Sequence, residues 1–296
     1  MKKAYLQLHI SIFLWGFTGI LGRAIDLNEV MLVWYRLVIT VAVLIGMALV
    51  RKNIQKVSFN ELLRISYVGL PIALHWVCFY GAIKYSNVSV GLSCLATVAV
   101  FTSFLEPAMT GRKIHLGELF LALFSAAGMY IIFEFSPQFY RTGIILGLCA
   151  AFFGSYFSIL NKKRSQHHNS PTITLYELSS ALLFLTIIMP LYLYFFPQSK
   201  ILPDNKDWLL LFVFSIFCTV IPFDLSIKAL KKLSVYATSL SINLEPVYGI
   251  ILAFIFFGEQ HELNGGFYIG TAMILIAVMV YMFLKHKAEI TKIIRR

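Results

Sequence analysis

Ten apolar runs of about 20 residues dominate this sequence, and each is long enough to cross the hydrocarbon core of a bilayer as a helix. Backbone polar groups find no water partner at that depth, so spanning segments of this kind have to be helical. The sequence therefore predicts an all-α integral membrane protein with ten transmembrane helices. The predicted segments are residues 4–23, 30–50, 63–84, 88–110, 116–134, 142–161, 172–196, 207–228, 234–257 and 266–285.

The composition agrees with this interpretation. Hydrophobic residues make up 59% of the chain and charged residues 13%, whereas a soluble domain has about 25% charged residues. The first apolar run follows Met1-Lys2-Lys3 without a small-residue cleavage site, so we expect a retained helix and no signal peptide. The four cysteines lie inside apolar runs at unrelated spacings and are expected to be packing residues; they are Cys78, Cys94, Cys149 and Cys218.

Basic residues are distributed unevenly among the loops. Of the 25 lysine and arginine residues, 19 fall in alternate loops and at the two termini, 5 fall in the other loops, and only Arg36 lies well inside a segment. Under the positive-inside rule, this asymmetry predicts that both termini are cytoplasmic. The net charge of +11 therefore follows membrane topology and does not indicate a nucleic-acid partner.

The sequence contains an internal repeat. "LWGFTGIL" is followed 138 residues later by "FFGSYFSIL", and "AIKYSNVSV" is followed by "ALKKLSVY" at an offset of 147 residues from Ala82 to Ala229. Each half then holds five helices, and because five is odd, the two halves have opposite orientations. We expect a first repeat over residues 4–134, a second over 142–285, and a basic cytoplasmic tail over 286–296.

Inverted repeats are typical of transporters that open a midplane cavity to alternate sides of the membrane. The pairs "FLEP" and "NLEP" do not obey the repeat, however. Aligning Ser89-Val90 with Ser234-Val235 places Glu245 opposite Val100 and not opposite Glu106. The two halves are therefore expected to contribute different functional residues.

The segment "SLSINLEPVYGIILAFIFFGE" carries Glu245 near its middle, where an unpaired carboxylate costs about 2.5 kcal/mol or more. Ser241, Glu245 and Tyr248 would share one face of a helix, and Pro246 would free a backbone carbonyl one turn earlier. This pattern favours a substrate or proton site. The alternative is a structural ion pair or a hydrogen-bonded protonated acid.

Four further residues form the rest of the candidate site. Arg36 is suited to binding a carboxylate or phosphate in bidentate fashion, although it could also snorkel or pair with a glutamate. In "ALHWVCFYGAIKY", His75, Trp76 and Tyr80 predict an aromatic cavity wall, whereas a fixed hydrogen bond is the structural alternative for the histidine.

The remaining acids are secondary candidates. Glu106 lies close to the predicted cytoplasmic interface, and Asp224 precedes Lys228 by four residues, the favourable order for a helix ion pair. Glu177 is expected in the first turn of its helix, where the helix dipole stabilises an acid.

These residues together resemble the drug/metabolite transporter superfamily, specifically its ten-helix family with two EamA repeats. The resemblance spans the chain and is carried by Trp15-Gly16, Arg36, "AIKYSNVSV" and "NLEPVYGIILAFIFFGE". The first repeat departs from the family pattern, because it lacks the "GE" ending and reads "MTGRKIHLGE". The resemblance implies a role in the central cavity for Trp15, Arg36, His75, Trp76, Tyr80 and Glu245.

The sequence is thus interpreted as a metabolite transporter of the cytoplasmic (inner) membrane. We expect an exporter of amino acids or related compounds that works by alternating access, with proton coupling through Glu245 as a hypothesis. The expected partners are a small-molecule substrate and the lipid bilayer, and a homodimer stays open. No cofactor, metal or catalytic residue is expected. The alternative is an integral-membrane enzyme that acts on a lipid with His75 and Glu106.

Overall fold

A computed structural model of the chain describes residues 2–111, 116–164, 167–197, 200–230 and 244–294. No β-strand occurs within these ranges, and the protein is all-helical. The helices of the first half are α1 (Lys2–Ala24), α2 (Glu29–Arg51), α3 (Phe59–Ser66), α4 (Gly69–Lys84), α5 (Val88–Leu95), α6 (Val98–Thr110) and α7 (Leu116–Phe135). Those of the second half are α8 (Arg141–Arg164), α9 (Ser170–Phe195), α10 (Asn205–Ser215), α11 (Ile221–Leu230), α12 (Glu245–Phe257) and α13 (Gly265–Ile294).

Within the described ranges, seven stretches of helix are long and apolar enough to cross a membrane. They are residues 3–24, 29–51, 59–84, 88–110, 138–161, 170–195 and 205–226. Three shorter apolar helices, over residues 119–135, 245–257 and 265–280, overlap the other three segments that the sequence predicts. Large apolar side chains such as Leu49, Leu183 and Ile187 are exposed on the outside of the bundle, which is where lipid tails would cover them.

The predicted segment 63–84 is divided into α3 and α4. Pro71 has no backbone N–H, so the carbonyl of Tyr67, four residues earlier, cannot form its normal helical hydrogen bond. The chain tightens at this point, and the Val68 amide donates to the Ile65 carbonyl at 3.1 Å. Gly69 then starts α4 in close contact with α9, where a Cβ atom would lie 2.4 Å from the Glu177 carbonyl oxygen.

The predicted segment 88–110 is likewise divided, at Ala96 and Thr97. The Thr97 hydroxyl donates to the Cys94 carbonyl at 2.6 Å, which supplies a side-chain partner where the regular helix stops. A third interruption separates α10 from α11, which are joined by a π-helix over Ile216–Val220. Pro222 follows directly and removes the donor for the Cys218 carbonyl. Both segments therefore cross the molecule as two helical pieces.

Glu177 does not lie where the sequence predicted it. Helix α9 begins at Ser170, so Glu177 is two turns inside the helix and only 3% exposed. Its carboxylate accepts a hydrogen bond from the Asn161 amide at 3.1 Å, which links α9 to α8. The prediction of a first-turn acid was wrong because the helix starts earlier than the apolar run.

Helix α1 lies between the two halves of the chain. It packs against α4 and α5 of the first half and against α11 and α12 of the second. A large buried apolar cluster, which includes Leu32, Tyr80 and Phe214, joins α2 and α4 to α10. This arrangement surrounds the middle of α2 with protein on every side and so determines the surroundings of Arg36.

Candidate functional site

Arg36 is the centre of the candidate site. It lies two turns inside α2 and is only 2% exposed, although arginine is almost never fully buried without a charged partner. Its Nη1 donates to the Tyr80 hydroxyl at 2.6 Å, and its Nε donates to the Thr219 hydroxyl at 2.9 Å. These two contacts hold the guanidinium plane in one orientation.

Aromatic rings surround the same guanidinium. The central carbon Cζ lies 4.0 Å from the centroid of the Trp76 indole and 4.2 Å from that of the Phe214 ring. The Tyr80 ring is 5.7 Å away. Cation–π attraction of about 2 kcal/mol for a desolvated pair partly replaces the lost hydration of the cation. We call Arg36 with Trp76, Tyr80, Phe214 and Thr219 the arginine cage.

The π-helix positions Thr219 in the arginine cage. Its hydroxyl donates to the Phe214 carbonyl, five residues earlier, at 3.4 Å and at the same time accepts from Arg36. The neighbouring Ser215 hydroxyl donates to the Arg36 backbone carbonyl at 3.2 Å. π-Bulges are frequent at functional sites, and this one turns a threonine hydroxyl toward a buried cation.

The charge of the arginine cage is not neutralised within it. Among the described residues, no carboxylate lies within ion-pair distance of Arg36, and its two side-chain partners are neutral hydroxyls. A guanidinium has five N–H donors, and only two are used by these partners. The others match the spacing of carboxylate oxygens, so the cage is chemically suited to bind a planar anion.

Two predicted site residues lie within electrostatic reach of the cage. The charge of Arg36 acts on both His75 and Glu245, although neither forms an ion pair with it. The His75 Nδ1 donates to the Ala150 carbonyl at 2.7 Å, and the ring stacks on Phe79. The structure therefore gives His75 the fixed hydrogen bond that the sequence left as its structural alternative.

Glu245 is the first residue of α12 as the structure describes it, and it is half-buried. Pro246 lies in the first turn of this helix, where a proline costs no hydrogen bond because the first amides lack partners in any helix. The same position exposes Glu245 to the favourable end of the helix dipole. Ser241, which was expected on the same face, lies outside the described residues.

Trp15 and Tyr248 are not part of the arginine cage. They pack with Leu244 on a separate apolar cluster that includes Leu8 and Ile12 of α1. Trp15 also meets the Phe223 ring edge-on at 6.0 Å. Trp15 belongs to α1 and Tyr248 packs against that helix, so they form a wall beside the site and not its polar centre.

The secondary candidates lie elsewhere. Glu106 is on α6, close to its C-terminal end, whereas Asp224 is on α11 and lines a cleft of about 50 Å³. The cleft opens between α2, α9 and α11, and Val220 in its wall directly follows Thr219 of the arginine cage. The residues that line it are Leu44, Met47, Ala48, Arg51, Asn53, Ile54, Ser170, Pro171, Thr174, Val220, Phe223 and Asp224.

Sequence reasoning missed Phe214 and Thr219. Both lie in a segment that reads as uniformly apolar, so hydropathy gave no reason to select them. The sequence Cys218-Thr219-Val220-Ile221-Pro222 was the available signal, because a proline inside a spanning segment marks a local departure from the α-helix. Among the described residues, no group of histidine, cysteine or acidic side chains could hold a metal ion, and the four cysteines are free thiols.

Three comparisons with known proteins bear on this site. A model of the EamA-like transporter family matches residues 2–134 and again residues 141–283. A protein of Clostridium kluyveri named "Uncharacterized transporter" is 24% identical to this chain over 312 residues, covering 98% of this chain and 96% of that protein. Both matches extend over almost the whole length.

A solved structure has the same fold. It is described as "Crystal structure of protein", superimposes with a TM-score of 0.62, and is 17% identical in sequence. The match covers 95% of this chain and 98% of that chain, so the arrangement of helices is shared throughout.

Proposed function

Because this chain belongs to the EamA-like transporter family and is a multi-pass membrane transporter of small molecules, we propose that its substrates are metabolites that carry a carboxylate, such as amino acids or related compounds. We propose further that it exports them across the cytoplasmic (inner) membrane by alternating access of two inverted five-helix repeats. Arg36 would bind the carboxylate, and Glu245 would carry a proton.

The arginine cage is the observation that carries this proposal. A buried cation without a counterion is costly, and proteins retain one where it has a task. The Trp76 and Phe214 rings hold the guanidinium, while the hydroxyls of Tyr80 and Thr219 occupy two of its five N–H donors. A substrate carboxylate would supply the missing charge and accept the free N–H groups together.

The inverted repeat is supported by helix landmarks at one constant offset. Helices α6 and α12 begin at Val98 and Glu245, which are 147 residues apart. They end at the C-cap residues Gly111 and Gly258, again 147 residues apart, and both glycines have positive φ, of 72° and 66°. This is the offset that relates Ala82 to Ala229 in sequence.

The same offset relates the helix interruptions. The break after α3 at Tyr67 would correspond to position 214, immediately before the π-helix. The offset of 147 residues would pair Glu245 with Val98, whereas the sequence alignment paired it with Val100. Under neither alignment does Glu245 pair with Glu106. Each half would thus contribute different chemistry, with the arginine on α2 and the acid on α12.

Protonation of Glu245 would control binding of the substrate at Arg36. When Glu245 is ionised, its charge opposes binding of a second anion near Arg36, and when it is protonated that repulsion is lost. An ionised Glu245 and a substrate carboxylate would therefore compete for the influence of one guanidinium. Such competition couples the two movements without requiring direct contact between the two ligands.

The distribution of basic residues among the loops indicates how the protein is oriented in the membrane. With 19 of the 25 lysine and arginine residues in one set of loops and at the termini, we place both termini in the cytoplasm. The cleft beside Val220 then opens on the cytoplasmic side, because Arg51 and Asn53 at its mouth belong to a cytoplasmic loop. This is the side from which an exporter must load.

The lipid enzyme, the alternative from another class, is not supported by the family match. The geometry also disfavours it. The His75 Nδ1 is occupied by the Ala150 carbonyl, and the charge that acts on its ring is that of Arg36.

The cargo can be identified by comparing the metabolites released into the medium by cells that overproduce the wild type or the Arg36→Gln variant at matched membrane levels. We expect a small set of amino acids or other carboxylates to accumulate only with the wild type. Accumulation of neutral or purely cationic compounds would contradict the proposed substrate class.

Replacement of Glu245 by glutamine is expected to uncouple transport from the proton gradient. Glutamine keeps the size and hydrogen bonding of the side chain but cannot release a proton. In proteoliposomes loaded with the cargo, a pH gradient should stimulate efflux by the wild type severalfold and leave the variant unchanged, while cargo exchange without a gradient persists. Glu106→Gln is the matched control and should respond like the wild type. A variant at position 245 with the full gradient response would rule out this coupling role.

A further inference from the structure

A fully buried acid, Glu259, lies at the far end of the molecule from the cytoplasmic cleft. We propose that its carboxylate is a latch that keeps the transport path closed at the outer end, an inference that rests on the proposed alternating-access function. Glu259 follows the C-cap glycine of α12 and is 0% exposed. The proposed function assigned no role to this residue.

The Glu259 carboxylate is bound at the beginning of α5. Its Oε1 accepts from the Val88 amide at 2.9 Å, and its Oε2 accepts from the Ser89 amide at 2.8 Å and from the Ser89 hydroxyl at 2.5 Å. These amides are among the first of a helix and have no partner within it. A side chain from the second half of the chain therefore caps the N-terminus of a helix of the first half.

Arg23, on α1, also binds the Glu259 carboxylate. This residue ends α1, and its guanidinium forms an ion pair with Glu259 while it packs over the Phe257 ring at 4.5 Å. Helices α1 and α5 of one half are thus joined to the loop after α12 of the other half. Charge-assisted hydrogen bonds are about twice as strong as neutral ones, so this is a strong connection between the halves.

The outer and cytoplasmic ends of the molecule carry different residues at the position of Glu259. At the offset of 147 residues, Gly258 corresponds to Gly111, and Glu259 therefore corresponds to Arg112. An arginine cannot accept hydrogen bonds from the first amides of a helix, as Glu259 does. Arg112 lies outside the described residues, but as an arginine it offers no acceptor at the position that corresponds to Glu259.

Other contacts between the halves are present at both ends. At the outer end, Lys200 contacts Asp26 at 3.1 Å and Asp207 at 2.9 Å, and the bond to Asp207 raises the pKa of the lysine. At the cytoplasmic end, Gln55 accepts from the Asn169 amide at 2.7 Å. Asp207 is buried and its carboxylate also accepts from the Asp26 amide at 2.8 Å, so the outer end carries a second connection between the halves.

In this structure the latch is closed at the outer end, and a cleft is present at the cytoplasmic end. The cleft beside the arginine cage reaches the cytoplasmic end, whereas the outer ends of α1 and α5 are held by Glu259. Release of cargo to the outside would require these bonds to break. A latch at one end favours the loading state in the absence of cargo.

The test measures access from the outside without using any substrate. Thr18 is buried on α1, five residues before Arg23 and therefore about 7 Å deeper in the membrane. Thr18→Cys, in a chain whose four native cysteines are replaced by alanine, serves as the reporter. We add a membrane-impermeant maleimide to intact cells and measure the rate of labelling.

We expect slow labelling with the latch intact and about tenfold faster labelling in Glu259→Gln, because glutamine offers one acceptor oxygen and turns an NH₂ group toward amide donors. Arg23→Gln, which removes the ion pair but leaves the helix amides capped, should give a smaller increase. Glu262→Gln is the matched control. Glu262 is 3.7 Å from the same arginine but its side chain is 41% exposed, so its loss should leave the rate unchanged.

Several results would overturn the latch. Labelling of Glu259→Gln at the wild-type rate would do so, as would an equal increase in Glu262→Gln. If Glu259→Gln does not reach the membrane, Arg23→Gln decides in its place, and an unchanged rate rejects the proposal. Faster labelling in a protein that exports no carboxylate would keep the latch and reject the proposed cargo, so the two failures are distinguishable.

Discussion

Arg36→Gln is expected to lower carboxylate export by about 100-fold, because removing one partner of a buried charged contact costs about 2–5 kcal/mol in binding. The variant keeps a hydrogen-bonding side chain of similar reach but loses the charge that a carboxylate would neutralise. The measurement is the initial rate of cargo efflux from proteoliposomes with equal amounts of protein. Arg64→Gln is the matched control, because the Arg64 side chain is 69% exposed and should contribute nothing to transport.

The same change is expected to leave the protein as stable as the wild type, or more stable. A desolvated cation without a counterion opposes folding, and replacing such a group is often neutral or stabilising. Loss of export together with an unchanged or higher midpoint of thermal unfolding would mark Arg36 as a binding residue. Loss of both export and stability would instead make it a structural residue of the arginine cage.

Lysine at position 36 provides a finer test. It keeps the positive charge but not the planar fork, and it stacks less well on Trp76 and Phe214. Arg36→Lys should therefore retain partial export, about tenfold below the wild type, if planar recognition of the carboxylate contributes as the cage geometry indicates. Full activity in this variant would show that charge alone suffices.

Gly69→Ala is expected to destabilise the protein by about 3 kcal/mol, at the upper end of the usual cost of overpacking. A Cβ atom at this position would lie 2.0 Å from the Ser180 Oγ, 2.4 Å from the Glu177 carbonyl oxygen and 2.7 Å from the Ala181 amide nitrogen. Two of these are backbone atoms of α9, so no rotamer change relieves the clash. The measurement is the midpoint of thermal unfolding of the purified protein in detergent.

Gly46→Ala is the matched control for this prediction. Gly46 also lies within a helix, but a Cβ atom there would meet no atom within 4 Å. Alanine is the better helix former by about 0.5–1 kcal/mol, so this variant should be as stable as the wild type or slightly more so. Equal midpoints for the two variants would show that α4 and α9 are not as closely packed as the structure has them.

The helical architecture was predictable because the bilayer permits few solutions. Long apolar runs with charged connections locate membrane helices well, and the single buried basic residue, Arg36, was evident from sequence alone. Trp76 and Tyr80 were selected for the same reason, since polar or amphipathic side chains are conspicuous in an apolar segment. The structure places both against the guanidinium.

The rest of the site depends on contacts that hydropathy does not encode. Phe214 is one of 26 phenylalanines, and only tertiary packing distinguishes it from those that face lipid. The interruptions at Tyr67 and Ile216 follow from prolines four to six residues later, a local effect that a search for continuous spans overlooks. Glu259 was noticed in the "GE" ending, but its partners lie 170 residues away in the chain.

The π-helix over Ile216–Val220 has a consequence for how this segment can change in evolution. A helix turns by about 100° per residue, so deleting or inserting one residue here would rotate α11 by that angle relative to α10. Phe223 and Asp224 would leave the cleft wall, and the Thr219 hydroxyl would no longer meet Arg36. Substitutions at the outward-facing Phe217 leave this register intact. Single-residue insertions and deletions between residues 216 and 220 should therefore be far more damaging than substitutions, and relatives with this site should preserve the length of the segment more strictly than its sequence.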